Sequence, residues 1–194
     1  MNGENSGSLE HGPNARPGNP PVIDRLIGTY ERTIDSKSRI GLPHQFRDKL
    51  GNSPLILIRW MDKSLVLFPE CNWLPLAENV SRLAYYTKEG QAIRRQMYAN
   101  AREVSLDKEG RIIIPQDMVE YARLDGKVIV SGDWDKIMIW NHAIFLEQIA
   151  KDDVTLNEKM PSVLAVTQGR KSWEVFEKEM AQNPSGKNGS NGSA

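Results

Sequence analysis

Ile34-Asp35-Ser36-Lys37-Ser38-Arg39-Ile40-Gly41-Leu42-Pro43 returns 72 residues later, without a gap, as Leu106-Asp107-Lys108-Glu109-Gly110-Arg111-Ile112-Ile113-Ile114-Pro115. In both copies an apolar residue precedes an Asp, an Arg stands four residues after it, an Ile follows the Arg, and a proline closes the stretch. The same offset brings Leu55-Ile56-Leu57-Ile58 near Lys127-Val128-Ile129-Val130 and sets Leu65-Val66-Leu67-Phe68 on Ile137-Met138-Ile139-Trp140. A frame held over that length is the signature of an internal repeat, so one supersecondary unit is used twice.

Working outward, each copy reads alike. A strand at 29–34 or 103–106 runs into a polar turn at 35–38 or 107–110, and a second strand starts at the Arg. This predicts a β-hairpin with Arg at its exit. Pro43 and Pro115 stand where a helix can begin, since a first-turn residue needs no N–H donor. Gly51 and Gly126 mark the predicted ends of those helices. The apolar runs 55–60 with 65–68, and 127–130 with 137–140, predict a second hairpin in each copy. Helical spacing follows at Trp73, Ala77, Val80 and Ala84, and at Ala143, Leu146 and Ala150. Between the copies, Thr87 can cap a helix that sets Ile93 and Met97 on one face with Arg94 and Arg95 beside it.

The resulting layout is an N-terminal extension at 1–26, module 1 at 27–84, a basic connecting helix at 85–101, module 2 at 102–150 and a C-terminal tail at 151–194. Within that tail Trp173, Phe176 and Met180 predict a docking helix over 170–181. The extreme ends are rich in Gly, Asn, Ser and Pro, a composition expected to be disordered. The fold class is mainly β with short helices, α+β. One copy, about 45 residues, is too small to be stable alone, so the two should share a core.

Composition bounds the function. The chain has 194 residues, 39% hydrophobic and 26% charged, the balance of a soluble globular protein. No apolar run approaches a membrane span, and the N-terminus has neither a signal-peptide nor a transit-peptide pattern, so a cytoplasmic location is expected. Cys71 is the single cysteine, which excludes an intrachain disulfide and a cysteine-cluster metal site, and it reads as a small buried hydrophobe. Net charge is zero, which argues against a protein that grips nucleic acid with its whole surface. The charge is uneven, however. Residues 25–49 and 82–111 each carry a net +3, and residues 147–179 a net −2. A polyanion would meet the first two stretches.

The repeated turn supplies the chemistry. An Asp at its start can accept hydrogen bonds from backbone N–H groups two residues on and can aim a nearby guanidinium. Arg39 and Arg111 would then be held rigidly, and arginine's planar fork can bind phosphate or the guanine edge in a bidentate way. Asp35 and Asp107 shape the turns, and Lys37, Lys108, Arg94 and Arg95 are candidate phosphate contacts. The bland reading of one such turn is a surface salt bridge worth about 0–1 kcal/mol. Its recurrence at the same place in both copies speaks against that.

Catalysis has little material. His11, His44 and His142 lie near no other His or Cys at ligand spacing. Asp133 and Asp135 flank Trp134 in a hairpin turn and read as turn formers. There is no phosphate-cradling glycine loop and no nucleophile elbow. Neither an enzyme nor a metal, cofactor or small-molecule substrate is expected. The rival class is a non-enzymatic protein-interaction module, antitoxin-like or scaffolding. What separates them is whether Arg39, Arg94, Arg95, Arg102 and Arg111 share a face. Trp60, Trp73, Trp134 and Trp140 do not interleave with these bases and read mostly as core.

Asp-x-x-x-Arg twice, each with its apolar strand and following proline, resembles the MraZ family of bacterial transcriptional regulators in the AbrB/SpoVT-like swapped-hairpin group. The likeness spans about residues 27–150 and includes Leu-Asp-Lys-Glu-Gly-Arg-Ile-Ile-Ile-Pro at 106–115. It implies two tandem modules packed as an intrachain pseudo-dimeric double-split β-barrel, and chains assembled into ring-like homo-oligomers. It also implies binding of double-stranded DNA at repeated short sites in the promoter of the division and cell-wall gene cluster, usually the protein's own, and hence association with the nucleoid. The motif positions fall on Asp35 and Arg39 and on Asp107 and Arg111. Two departures stand out. Ser38 occupies the place of the usual glycine, present at Gly110, and would be strained if that place needs positive φ. The segments before Leu26 and after Ala150 lie outside the usual core.

Overall fold

The computed structural model describes residues 23, 25–83, 86–169 and 172–182, in two compact units, Met1–His142 and Ala143–Ala194. Of the ends expected to be disordered, 1–21 and 182–194, all but Gln182 lie outside the described residues, and Gln182 is helical.

The first unit holds both repeats. Repeat 1 contributes β1 (Thr29–Thr33), β2 (Arg39–Gly41), α1 (His44–Leu50), β3 (Leu55–Arg59), β4 (Leu65–Pro69) and α2 (Glu70–Ser81), and α3 (Lys88–Tyr98) connects. Repeat 2 contributes β5 (Arg102–Val104), β6 (Arg111–Ile113), α4 (Gln116–Ala122), β7 (Lys127–Asp133) and β8 (Lys136–Asn141). The strands form a six-stranded antiparallel sheet in the order β1-β7-β8-β4-β3-β5, and a separate ribbon of β2 and β6. The fold is thus mainly antiparallel sheet with helices, α+β, and β1 and β5 end the six-stranded sheet.

The second hairpins form as expected, β3 with β4 and β7 with β8. The first hairpins do not. β1 leaves its turn to pair with β7, and β2 pairs with β6, so the turn's arms keep only the Ile34–Ile40 bridge and the Asp35 N–H bond to the Arg39 carbonyl at 3.0 Å. The physical reason is burial. β2 and β6 are three residues each, and pairing them brings Ile40 opposite Ile112, both fully buried. Each such side chain contributes about 1.5–3 kcal/mol when removed from water, which a three-residue arm folded on its own neighbour could not collect.

The repeat frame also slips once. Leu55 and Leu57 join the central core beside Val128 and Val130, so β3 and β7 correspond at an offset of 73 rather than 72. Strand side chains alternate between faces, and the ungapped frame would have set buried Leu55 on exposed Lys127. By β4 and β8 the offset is 72 again, with Leu65 and Leu67 matching Ile137 and Ile139. One core joins both repeats, with Phe46 and Met118 packed from α1 and α4.

Gly51 caps α1 as expected, at φ 53° with its N–H bonded to the Arg47 carbonyl. For α4 the expected cap was Gly126, but the helix ends at Ala122 with Arg123 left-handed at φ 52° and ψ 40°. Gly126 lies in the following loop, also at positive φ. Thr87 caps α3 by accepting from the Gly90 N–H at 3.0 Å. Trp73 and Trp140 are buried, Trp60 is half-buried and Trp134 is exposed at the β7–β8 turn. Cys71 is half-buried, with its thiol 3.4 Å from the Asn72 side-chain oxygen.

The helix starting at His142, α5, ends not near Ala150 but at Thr167, passing through Pro161. In the second unit it carries exposed Leu146, Val154, Leu156 and Leu164. α6 (Trp173–Gln182) follows, with the Trp173 and Phe176 rings edge to face at 5.6 Å. Among the described residues no helix is long and apolar enough to cross a membrane.

Candidate nucleic-acid interface

The two polar turns fold into the same object. In the first, Asp35 Oδ1 accepts from the Lys37 N–H at 2.9 Å and the Arg39 N–H at 3.0 Å, and the Ser38 N–H donates to the Asp35 carbonyl at 2.9 Å. Asp35 Oδ2 accepts from Arg39 Nε at 2.7 Å and lies 2.7 Å from Nη2. In the second, Asp107 Oδ1 accepts from the Glu109 and Arg111 N–H groups at 3.0 and 2.9 Å, and Oδ2 accepts from Arg111 Nε at 2.8 Å with Nη2 at 2.8 Å. One carboxylate thus locks the turn with one oxygen and aims the guanidinium with the other. None of these bonds uses Nη1 of either arginine.

The fourth residue of each turn is left-handed, Ser38 at φ 57° and Gly110 at φ 75°. Its carbonyl is latched by the other repeat, Ser38 by the Ile114 N–H at 2.8 Å and Gly110 by the Leu42 N–H at 3.0 Å. Across the ribbon Arg39 pairs with Ile113 and Gly41 with Arg111. Since Ile40 and Ile112 fill the buried face, Arg39, Arg111 and Ile113 share the outer one, where Ile113 is 60% exposed. The structure therefore brings the two arginines together on one ribbon.

The electrostatics follow. Charge-assisted bonds from Arg39 hold the Asp35 carboxyl at about 2, below its usual 3.8. The Arg111 N–H bond and guanidinium lower Asp107 in the same direction, and the acidic neighbours raise Arg111. Both arginines are held in place by their own aspartates. Where repeat 1 has Lys37, repeat 2 has Glu109, which takes a 2.8 Å bond from Arg111 Nη2.

Lys37 and Lys108 are exposed on the turns. Arg94 and Arg95 belong to α3, which packs on α2 and β3. Arg94 Nη1 donates to the Ser81 carbonyl at 2.6 Å and its guanidinium lies 5.6 Å from the Tyr98 ring, so it fastens α3 to the end of α2. Arg95 is exposed. Arg102 on β5 bonds to the Ala99 and Ala101 carbonyls. Asp133 and Asp135 both pair with Lys136, at 2.9 and 3.2 Å. Sequence reasoning missed Arg47, whose Nη1 reaches the Glu109 carbonyl at 3.3 Å, and Ile113 as an exposed apolar neighbour of the arginines. No spacing marked Arg47, because its repeat counterpart is Val119. Ile113 was visible only as one of three consecutive isoleucines. Among the described residues no group of His, Cys, Asp and Glu could hold a metal ion.

A family model described as "MraZ protein, putative antitoxin-like" matches residues 26–96 and again 97–162. The chain belongs to the MraZ family. The two matched segments divide the chain within α3, so each holds one turn, one ribbon strand and one second hairpin. Among MraZ relatives, the transcriptional regulator MraZ of Leuconostoc mesenteroides is 40% identical over 116 residues, 60% of this chain and 80% of its own length. That of Roseiflexus sp. is 39% identical over 115 residues, 59% of this chain and 80% of its own. The Clostridium acetobutylicum protein of the same name is 35% identical over 137 residues, 70% of this chain and 96% of its own.

Proposed function

We propose that the chain is a non-enzymatic transcriptional regulator that binds double-stranded DNA sequence-specifically through its two Asp-x-x-x-Arg turns. The observation that carries this is the placement of Arg39 and Arg111, each aimed by its own aspartate, on the outer face of the β2–β6 ribbon. A two-stranded ribbon fits the major groove, and an arginine whose Nη1 is not taken by its aspartate can address guanine or phosphate there. The names of the relatives support the regulatory role. Lys37 and Lys108 add phosphate contacts from the turns, with Arg94 and Arg95 as weaker ones from α3.

One chain offers few contacts, so useful affinity comes from several copies, a ring-like homo-oligomer set against repeated short sites. The targets are the protein's own promoter and the division and cell-wall gene cluster, and the protein works in the cytoplasm on the nucleoid. The exchange of β1 and β5 between repeats supports reading the fold as two pseudo-equivalent AbrB/SpoVT-like modules in a double-split barrel.

Fluorescence anisotropy with DNA from upstream of the protein's own gene tests this, comparing wild type with Arg39→Ala/Arg111→Ala over several salt concentrations. Specific wild-type binding is expected, with log K falling by about 0.9 per phosphate contact against log salt. A folded double variant should lose it. Salt-insensitive or absent binding by wild type would leave the protein-interaction reading in front. That second reading is favoured by a pocket of about 410 Å³ lined by Arg59, Trp60, Met61, Ile93, Met97 and Tyr121, with Met61 and Ile93 exposed.

A further inference from the structure

The repeat breaks its own symmetry beside the turns, at two positions that meet in space. Position 47 in α1 is Arg and its counterpart in α4 is Val119, while position 110 is Gly and its counterpart is Ser38. A Cβ built on Gly110 would overlap Nη1 and Cδ of Arg47. The arginine therefore lies flat on the glycine, and its Nη1 donates to the neighbouring Glu109 carbonyl at 3.3 Å. A side chain of repeat 1 closes over the turn of repeat 2. Left-handed backbone alone does not demand glycine at this place, since Ser38 adopts it at φ 57°. What position 110 needs is the absent Cβ, which leaves the seat for Arg47. Arg47 Nε is buried without a partner, a desolvation cost that a valine would not carry. Packing by itself therefore does not account for an arginine here.

We propose that Arg47 is a positioning residue for the second turn. It braces 107–110, and through them Arg111, so the chain presents DNA with two unlike heads rather than two equivalent ones. The brace rests on geometry, and its consequence for DNA rests on the reading in the preceding subsection.

The counterpart positions, Val119 and Ser38, supply the compensating pair for a test in the full-length protein, with circular dichroism and size-exclusion profiles checking each variant's fold and assembly. Arg47→Val is expected to raise amide hydrogen exchange at 107–110 about tenfold while leaving 35–38 unchanged, and Arg47→Lys, which keeps a stem and a donor, to restore most of the protection. Gly110→Ser should loosen the same turn by displacing Arg47. Arg47→Val/Gly110→Ser, which installs the counterpart residues of Val119 and Ser38 together, should do less damage than the two changes summed. On upstream DNA, Arg47→Val should weaken binding about tenfold at an unchanged salt slope. Unchanged exchange at 107–110 in Arg47→Val overturns the proposal, as does strict additivity of the pair. A salt slope shallower by about 0.9 also overturns it, because Arg47 would then be a phosphate contact. If wild type binds no DNA specifically, the DNA reading has failed, and exchange with the double-variant comparison decides the brace alone.

Discussion

The turn at 35–39 and the turn at 107–111 share the bonds their aspartates make and the cross-repeat latch: two backbone N–H groups on Oδ1, the guanidinium on Oδ2, and a bond from the other repeat to the fourth carbonyl. They differ in what surrounds that frame. Lys37 faces Glu109 in the alignment, Ser38 faces Gly110, Gly41 faces Ile113 and Arg47 faces Val119. The first turn holds one acid and two bases, the second two of each. Geometry has been kept and charge, bulk and bracing have diverged. Two heads of one shape can then differ in how strongly and how rigidly they meet a polyanion.

The largest expected effects test what the repeats share. Ile40→Ala and Ile112→Ala remove opposite halves of the buried ribbon pair, and each should cost about 2–5 kcal/mol in urea unfolding. Sharply unequal losses would break the equivalence of the two strands. Next come the single changes Arg39→Ala and Arg111→Ala, each expected to weaken specific DNA binding by about tenfold or more in anisotropy, from about 1–3 kcal/mol per bidentate contact. Equal losses and equal salt slopes would argue against unlike heads.

Smaller effects probe the differences. Gly110→Ser should destabilise by about 1–3 kcal/mol, since it combines left-handed strain with the Arg47 overlap. Ser38→Gly should instead stabilise, by less than about 1 kcal/mol, because relief at φ 57° is partly offset by the flexibility glycine adds to the unfolded chain. The same sign for both in thermal melts would contradict the asymmetry. Finally, both aspartates are shifted down, so their hold on the turns is complete above the unfolded value of 3.8 and fades as pH drops, for Asp35 through about 2. Carboxyl carbon shifts in an NMR titration read this directly. An aspartate titrating at its ordinary value would mean that its turn is open in solution.

Much of the site was legible because its bonds are local. Asp35 and Arg39 lie four residues apart, and Asp107 and Arg111 likewise, so the turn that joins them is written within five residues. The N-cap at Thr87 and the hairpins β3–β4 and β7–β8 are short-range too. The expected first hairpin failed because local pattern cannot choose between a near partner and a distant one. β2 gains more by covering Ile112 than by returning to β1. The register slip at β7 was hidden for a related reason, since only packing shows which of two adjacent residues faces inward. The bond from Arg94 to the Ser81 carbonyl joins α3 to the end of α2, and no local pattern announced it.

By itself, then, the sequence determined that one β-rich unit is used twice, that each copy carries an aspartate-locked arginine, and that helices flank them. These properties depend on composition, periodicity and contacts a few residues long. Tertiary structure alone decided that β1 and β5 cross to the opposite repeat, that both arginines share one ribbon face, and that Arg47 lies over Gly110. Those contacts join residues more than forty positions apart, and their selection depends on which apolar faces can be covered together, a sum over the whole core that no local stretch contains.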